Sequence, residues 1–177
     1  MGMSKYLGTP LSEKDFEAVV KEAAKPSAKY RYTTGIALGR FLDELRRGRI
    51  IGTVCSHCRR VYVPPRIYCS HCFRELSEWV YVRDEGTIQT AVLTYISTTR
   101  ERIEKPLVVG VIKLDLPEGY GDYAVDETFY PGVMHYICGA TEDDVKSRRI
   151  FGKRVKAKWR SEKTGSVRDI ECFEVIP

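Results

Sequence analysis

The spacing of apolar positions changes along the chain. Phe16, Val19, Val20 and Ala23 recur at helical spacing behind Ser12 and Asp15, which form a capping box with Asp in place of Glu. Pro26 ends that predicted helix. The polar stretch 25–35 reads as an extended connection. A second amphipathic helix follows, with Leu38, Phe41, Leu42 and Leu45 on one face. Arg46, Arg47 and Arg49 suit the negative end of its dipole, and Gly48 offers a left-handed stop. Beyond Cys72 the period becomes that of strands. Segments 79–82, 87–96, 107–114, 134–138, 154–160 and 167–176 are β-branched or alternating, with turns at 84–86 and at Thr164-Gly165. So many short strands in so few residues predict a small closed β-barrel of the OB-fold size. Between strands, 98–105 reads as a mixed charged loop. The long 115–132 loop holds five acids, no base and the rings of Tyr120, Tyr123, Phe129 and Tyr130. Such a loop is either functional or a solvated, variable insertion.

Between helix and strands lie two identical knuckles, Cys55-Ser56-His57-Cys58 and Cys69-Ser70-His71-Cys72. In each, the C-x-x-C spacing lets two thiolates of one turn reach a single ion. Two turns complete a tetrahedral four-sulfur shell that leaves no position open for substrate. Ten residues separate the pairs, enough for a small hairpin around Tyr62, Val63, Pro64 and Pro65. Zinc is the expected ion, and iron held by the same sulfurs is the less favoured one. A redox dithiol fits poorly, because redox C-x-x-C pairs usually occur singly near a βαβ unit. His57 and His71 read as exposed turn residues, with replacement of a thiolate as the other possibility. A closed site of this kind is a folding device and does not itself imply catalysis.

Composition narrows the class. The 177 residues are 43% hydrophobic and 30% charged, with mean hydropathy −0.31, as in a globular protein with a real core. No apolar run approaches membrane-span length, and the first residues lack the apolar core of a secretory signal, which predicts a cytoplasmic protein. Reduced thiols are then the expectation. Cys138 and Cys172 sit among alternating apolar residues and are expected to pack in the core, an acyl-accepting nucleophile being the alternative. His135 is three residues from Cys138, on the opposite face of a strand, so no local Cys–His pair supports a nucleophile. The net charge of +5 is uneven. Residues 146–168 hold ten Lys or Arg and one acid, Glu162, a local +9 that leaves −4 elsewhere. On the strand 154–160, Val155, Ala157 and Trp159 share one face. Arg154, Lys156, Lys158 and Arg160 share the other, which makes them candidate ligands for an anion. Solvated surface charge is the plain alternative.

The order of parts resembles a known family. An amphipathic helix carrying Phe41 and Leu45 leads into Cys55, Cys58, Cys69 and Cys72. Pro64, Pro65 and Arg66 lie between the knuckles, and Trp79 and Gly86 follow them. The run 152–159 (GKRVKAKW) and the turn Gly165-Ser166-Val167 complete the pattern. These features resemble the zinc-ribbon plus OB-fold proteins that accompany thiolases and other acyl-CoA enzymes, over about 35–177. Arg59 and Phe73 stand where that family usually has a glycine after each knuckle. The resemblance implies a mainly β chain with N-terminal helices, a rubredoxin-like zinc ribbon and an OB-fold barrel. The domain limits expected are a helical arm over 1–49, the ribbon over 50–78 and the barrel over 79–177. It also implies a non-catalytic accessory subunit that binds a thiolase-like partner and helps hold or channel an acyl-CoA, with no catalytic residues of its own. On that view the 154–160 cations would hold CoA phosphates. The sequence contains no hydrolytic triad, Gly-rich phosphate loop or H-E-x-x-H motif. The competing reading is a nucleic-acid-binding module, since zinc ribbons and OB folds recur there. The single aromatic of the basic strand, Trp159, faces away from its charges, and the rest of the chain is acidic, which argues against it.

Overall fold

A computed structural model describes residues 11–23, 32–97, 99–123 and 129–177. Two compact units divide the chain, 1–33 and 34–177. In the first, helix α1 spans Glu13–Ala23. It starts at Ser12, whose side chain accepts from the Asp15 N–H at 3.2 Å and donates to the Asp15 carboxylate, as the capping box predicts. Pro26 and residues 25–31 of the predicted connection lie outside the described residues.

The second unit opens with α2, Gly35–Arg46, whose buried face is Ala37, Phe41, Glu44 and Leu45. Leu38, placed on that face from its spacing, is exposed instead. The core-facing stripe is rotated toward Glu44, which is buried but ion-paired to Arg47 and Arg49, so these arginines serve a carboxylate and not only the helix dipole. Gly48 stops the helix at φ 72°.

Strands β1 (Ile50–Cys55) and β2 (Arg60–Tyr62) carry the first knuckle between them. Strand β3 (Glu78–Val82) pairs with β1 on its other side, giving a three-stranded antiparallel sheet in the order β2-β1-β3. The 79–82 strand thus hydrogen-bonds to the ribbon and not to the barrel strands that follow it. The barrel comprises β4 (Glu85–Ile96), β5 (Arg102–Leu114), β6 (Gly132–Cys138), β7 (Arg154–Trp159) and β8 (Ile170–Val175), with the short helix α3 (Glu142–Lys146) between β6 and β7. It closes in the order β4-β5-β6-β8-β7, the arrangement the strand pattern leads one to expect of an OB fold. Half of the charged 98–105 segment, from Arg102 to Lys105, belongs to β5. Gly86 lets β4 pack closely where it pairs with both β5 and β7, since a Cβ there would overlap the Lys113 carbonyl.

One apolar core runs through ribbon and barrel. Phe41 and Leu45 of α2 join Val61 and Val80 of the small sheet to Ile88, Ile112, Val155 and Phe173 of the barrel. The described parts of the 115–132 loop are anchored. Tyr120 donates to Glu78 at 2.8 Å, and Phe129 packs edge-on against Tyr62 at 5.0 Å.

The two remaining cysteines depart from expectation. Cys138 and Cys172 form a disulfide, with Cα atoms 6.0 Å apart. Closure of the barrel pairs β6 with β8 in parallel, which brings residues 34 apart in sequence to adjacent strands. Local alternation carries no information about that pairing. No helix among the described residues is long and apolar enough to cross a membrane.

Candidate metal centre and charged barrel face

The ends of β1 and β2, with the loop back to β3, bring the sulfurs of Cys55, Cys58, Cys69 and Cys72 within 4.8 Å of one another. Cys55 and Cys69 are buried. Each knuckle is wound the way a metal-binding turn requires. The Cys58 N–H donates to Cys55 Sγ at 3.4 Å, and the N–H groups of His71 and Cys72 donate to Cys69 Sγ at 3.4 and 3.5 Å. These donors stabilise thiolate. Tyr62 adds an O–H···S contact to Cys69 at 3.1 Å. The residue after each knuckle is left-handed, with φ 50° at Arg59 and 58° at Phe73. The turn geometry that favours glycine is therefore kept by two L-residues, at an energetic cost.

Crowding shifts Cys58 and Cys69 in opposite directions. Desolvation, and then hydrogen bonds with Cys72 and Cys55, push Cys58 up to about 12. Cys69 goes the other way. Burial alone would raise it, but the Tyr62 hydroxyl and the backbone N–H groups of Cys72 and His71 pull it down to about 6. A divalent ion resolves this crowding by replacing the protons, and the donor set of four sulfurs on two tight turns fits a structural metal. His57 and His71 are exposed, each with Nδ1 3.6 Å from Cys58 Sγ and outside the four-sulfur set.

The strand β7 carries Arg154, Lys156 and Lys158 of the four sequence-predicted cations, with Val155 and Ala157 buried between them, and ends at Trp159, just before Arg160. The four do not converge on an open anion site. Arg154 makes a bidentate pair with Asp115, from Nη1 to Oδ1 at 2.9 Å and from Nη2 to Oδ2. Lys156 pairs with Glu85 at 2.9 Å and Lys158 with Glu171 at 3.4 Å. Arg160 Nε donates to the Arg168 carbonyl at 2.8 Å, and its guanidinium has no carboxylate partner among the described residues. Hydrogen bonding and charge from Lys156 hold Glu85 below the usual carboxylate range. Asp115 shows what sequence reasoning missed. The acidic loop supplies the carboxylate that meets the basic strand, and the opposite charges of the two segments were the available signal. The Trp159 indole N–H donates to Asp84 at 3.2 Å.

Asp169 is a second residue that pattern reading passed over. It is 2% exposed, and its carboxylate accepts from the N–H groups of Thr164, Gly165 and Ser166 at 3.0, 2.7 and 3.0 Å. It shapes the loop between β7 and β8.

Two family models match the chain in order. The rubredoxin-like zinc ribbon domain of ChsH2 matches residues 42–77, and the C-terminal OB-fold domain of ChsH2 matches 79–160. The chain belongs to this ribbon-and-barrel family. No curated protein gives a significant match. Among solved structures, a DUF35-family protein of unknown function from Sulfolobus solfataricus is 23% identical, covering 93% of this chain and 97% of its own, with a TM-score of 0.54. An Ltp2-ChsH2(DUF35) aldolase is 15% identical over 82% of this chain and 98% of that one, with a TM-score of 0.52. Likeness at this level concerns the fold, and it agrees with the ChsH2 ribbon and barrel described above.

Proposed function

We propose that this chain is a non-catalytic accessory subunit of a thiolase-type acyl-CoA enzyme complex, in which it binds the enzyme and helps hold or channel an acyl-CoA. The observation that carries the reading is the pair of ChsH2 domains in sequence order, together with the likeness to a chain named in an Ltp2-ChsH2 aldolase. Zinc at Cys55, Cys58, Cys69 and Cys72 shapes the ribbon. A closed four-sulfur shell offers no position for substrate, so its role is architectural. The nucleic-acid reading gains nothing from β7, whose Arg154, Lys156 and Lys158 are already neutralised and whose Trp159 is hydrogen-bonded to Asp84.

Purification of the tagged chain from its source, with mass spectrometry of what accompanies it, tests the proposal. Stoichiometric recovery of an acyl-CoA enzyme is expected. A chain that stays monomeric and pairs with no such enzyme would falsify it. The finer proposal, that Arg154, Lys156, Lys158 and Arg160 hold CoA phosphates, requires an exchange of anions, because three of the four must first release a carboxylate. Glu85→Gln frees Lys156 and should tighten CoA binding in calorimetry, while Lys156→Gln should weaken it. Equal affinities in wild type and both variants would remove β7 from the site.

A further inference from the structure

The outer surface of the barrel is of two kinds. On β7 the outward cations are matched by carboxylates. On β4, β5 and β6 the outward positions are mainly aliphatic. Register sets Val92 opposite Val109 and Val109 opposite Tyr136. The next row holds Thr90, Val111 and Met134, and Leu107 lies opposite Thr94. Residues opposite one another in antiparallel strands share a face. The alternate positions Val108, Ile112 and Leu114 are buried, so this face points away from the core. Val92 is 60% and Met134 72% exposed. Three strands of such side chains over about six residues make a patch of roughly 10 by 20 Å. Antiparallel sheets ordinarily turn polar residues outward, so aliphatic side chains on the outer face of three adjacent strands depart from the usual pattern.

Two cations border it. Arg160 and Arg168 line the same groove of about 530 Å³ as Val109, Met134 and Tyr136. The acid beside them, Glu171, pairs with Lys158, and neither arginine has a carboxylate partner among the described residues. Their loop is held in place. Arg160 Nε is bonded to the Arg168 carbonyl, and His135 Nε2 lies 3.2 Å from the Val167 carbonyl, which can only accept, so this nitrogen carries the proton.

We propose that the outer face of β4, β5 and β6 is the docking surface for the partner enzyme. The partner presents apolar side chains to Val92, Val109 and Met134, with carboxylates opposite Arg160 and Arg168. This rests on the accessory-subunit reading and adds where the contact is made and with what chemistry. The charge argument is specific. The β7 cations Arg154, Lys156 and Lys158 are paired within the chain, whereas these two, at the edge of an apolar patch, meet no carboxylate among the described residues and suit a partner's acids. An apolar centre with arginine at its border is the composition of a protein interface. Stacking of bases needs several aromatic rings, and Tyr136 is the one ring in these rows.

The test uses the full chain and the acyl-CoA enzyme recovered with it, with affinity measured by calorimetry. Met134→Glu and Arg168→Glu should each weaken binding about tenfold or more. Arg149→Gln, at an exposed cation paired within the chain to Asp143, should stay within about twofold of wild type. All three should keep wild-type metal content and melting temperature, because the altered side chains are exposed or half-buried. Arg168→Glu should also reduce the salt dependence of binding. If Met134→Glu and Arg168→Glu bind as wild type does, the docking face is wrong and the accessory role stands. If the wild type has no acyl-CoA enzyme partner, both are wrong. If Arg168→Glu leaves enzyme affinity unchanged and abolishes salt-dependent binding of oligo(dT), the face belongs to nucleic acid and the docking proposal is overturned.

Discussion

Single residues set the local geometry at two turns. Asp169 is buried, and burial alone would raise its pKa, but the N–H groups of Thr164, Ser166 and Gly165 hold the carboxyl below its ordinary value. A depressed folded-state pKa contributes stability that is complete above the unfolded value near about 4 and lost as pH falls through the folded one. Asp169→Asn should therefore cost about 2 kcal/mol at neutral pH in urea unfolding. Its stability should also fall less steeply than that of wild type below about pH 4. Phe73 poses the opposite problem. Its left-handed backbone is strained, and its ring is 78% exposed, so little packing is lost by removing it. Phe73→Gly should raise stability by roughly 0.5–1 kcal/mol, read as a higher midpoint with unchanged metal content. Glycine spacing alone raised a question about these turns. The answer depended on N–H···S bonds and a fold that over-determines the backbone.

At the scale of elements, the ribbon is the part most fully legible in advance. Its four clustered cysteines lie close in sequence, and the chemistry of two C-x-x-C turns admits few arrangements. Cys69→Ser removes the thiol that Tyr62 and two backbone N–H groups already favour as thiolate. Loss of about one zinc per chain by metal analysis is expected, with collapse of the cluster of Cys55, Tyr62, Cys69 and Leu76. The strands were also readable, from alternation. Their partners were less so. The segment 79–82 has the period of any strand, and only hydrogen bonding to β1 places it in the ribbon sheet. Leu38 likewise has the spacing of a core residue, yet α2 is turned by the burial of Glu44 between two arginines.

At the scale of the whole molecule, the shared core predicts coupling. Val61 and Val80 of the ribbon sheet pack into the cluster that includes Ile88, Val155 and Phe173 of the barrel. Removal of metal by a chelator should lower the melting temperature of the barrel, followed by near-ultraviolet circular dichroism, and not only that of the ribbon. A barrel transition indifferent to metal would show the two parts to be independent. The Cys138–Cys172 disulfide closes a loop of 34 residues. Chain entropy assigns such a loop about 3–4 kcal/mol, so Cys138→Ser/Cys172→Ser should lower unfolding stability by that order, and intact mass should rise by about 2 Da on reduction of the wild type. Composition, period and cysteine spacing were enough to specify the ribbon, the two N-terminal helices, the barrel strands and the four cysteines that cluster, because each begins as a short-range pattern. Tertiary structure decided the rest. It paired the basic strand with Asp115, Glu85 and Glu171, joined two distant cysteines across β6 and β8, and left Arg160 and Arg168 beside an aliphatic face. A sequence records how many charges and thiols a chain carries. Which of them meet depends on strand order and register, which are settled only when the barrel closes.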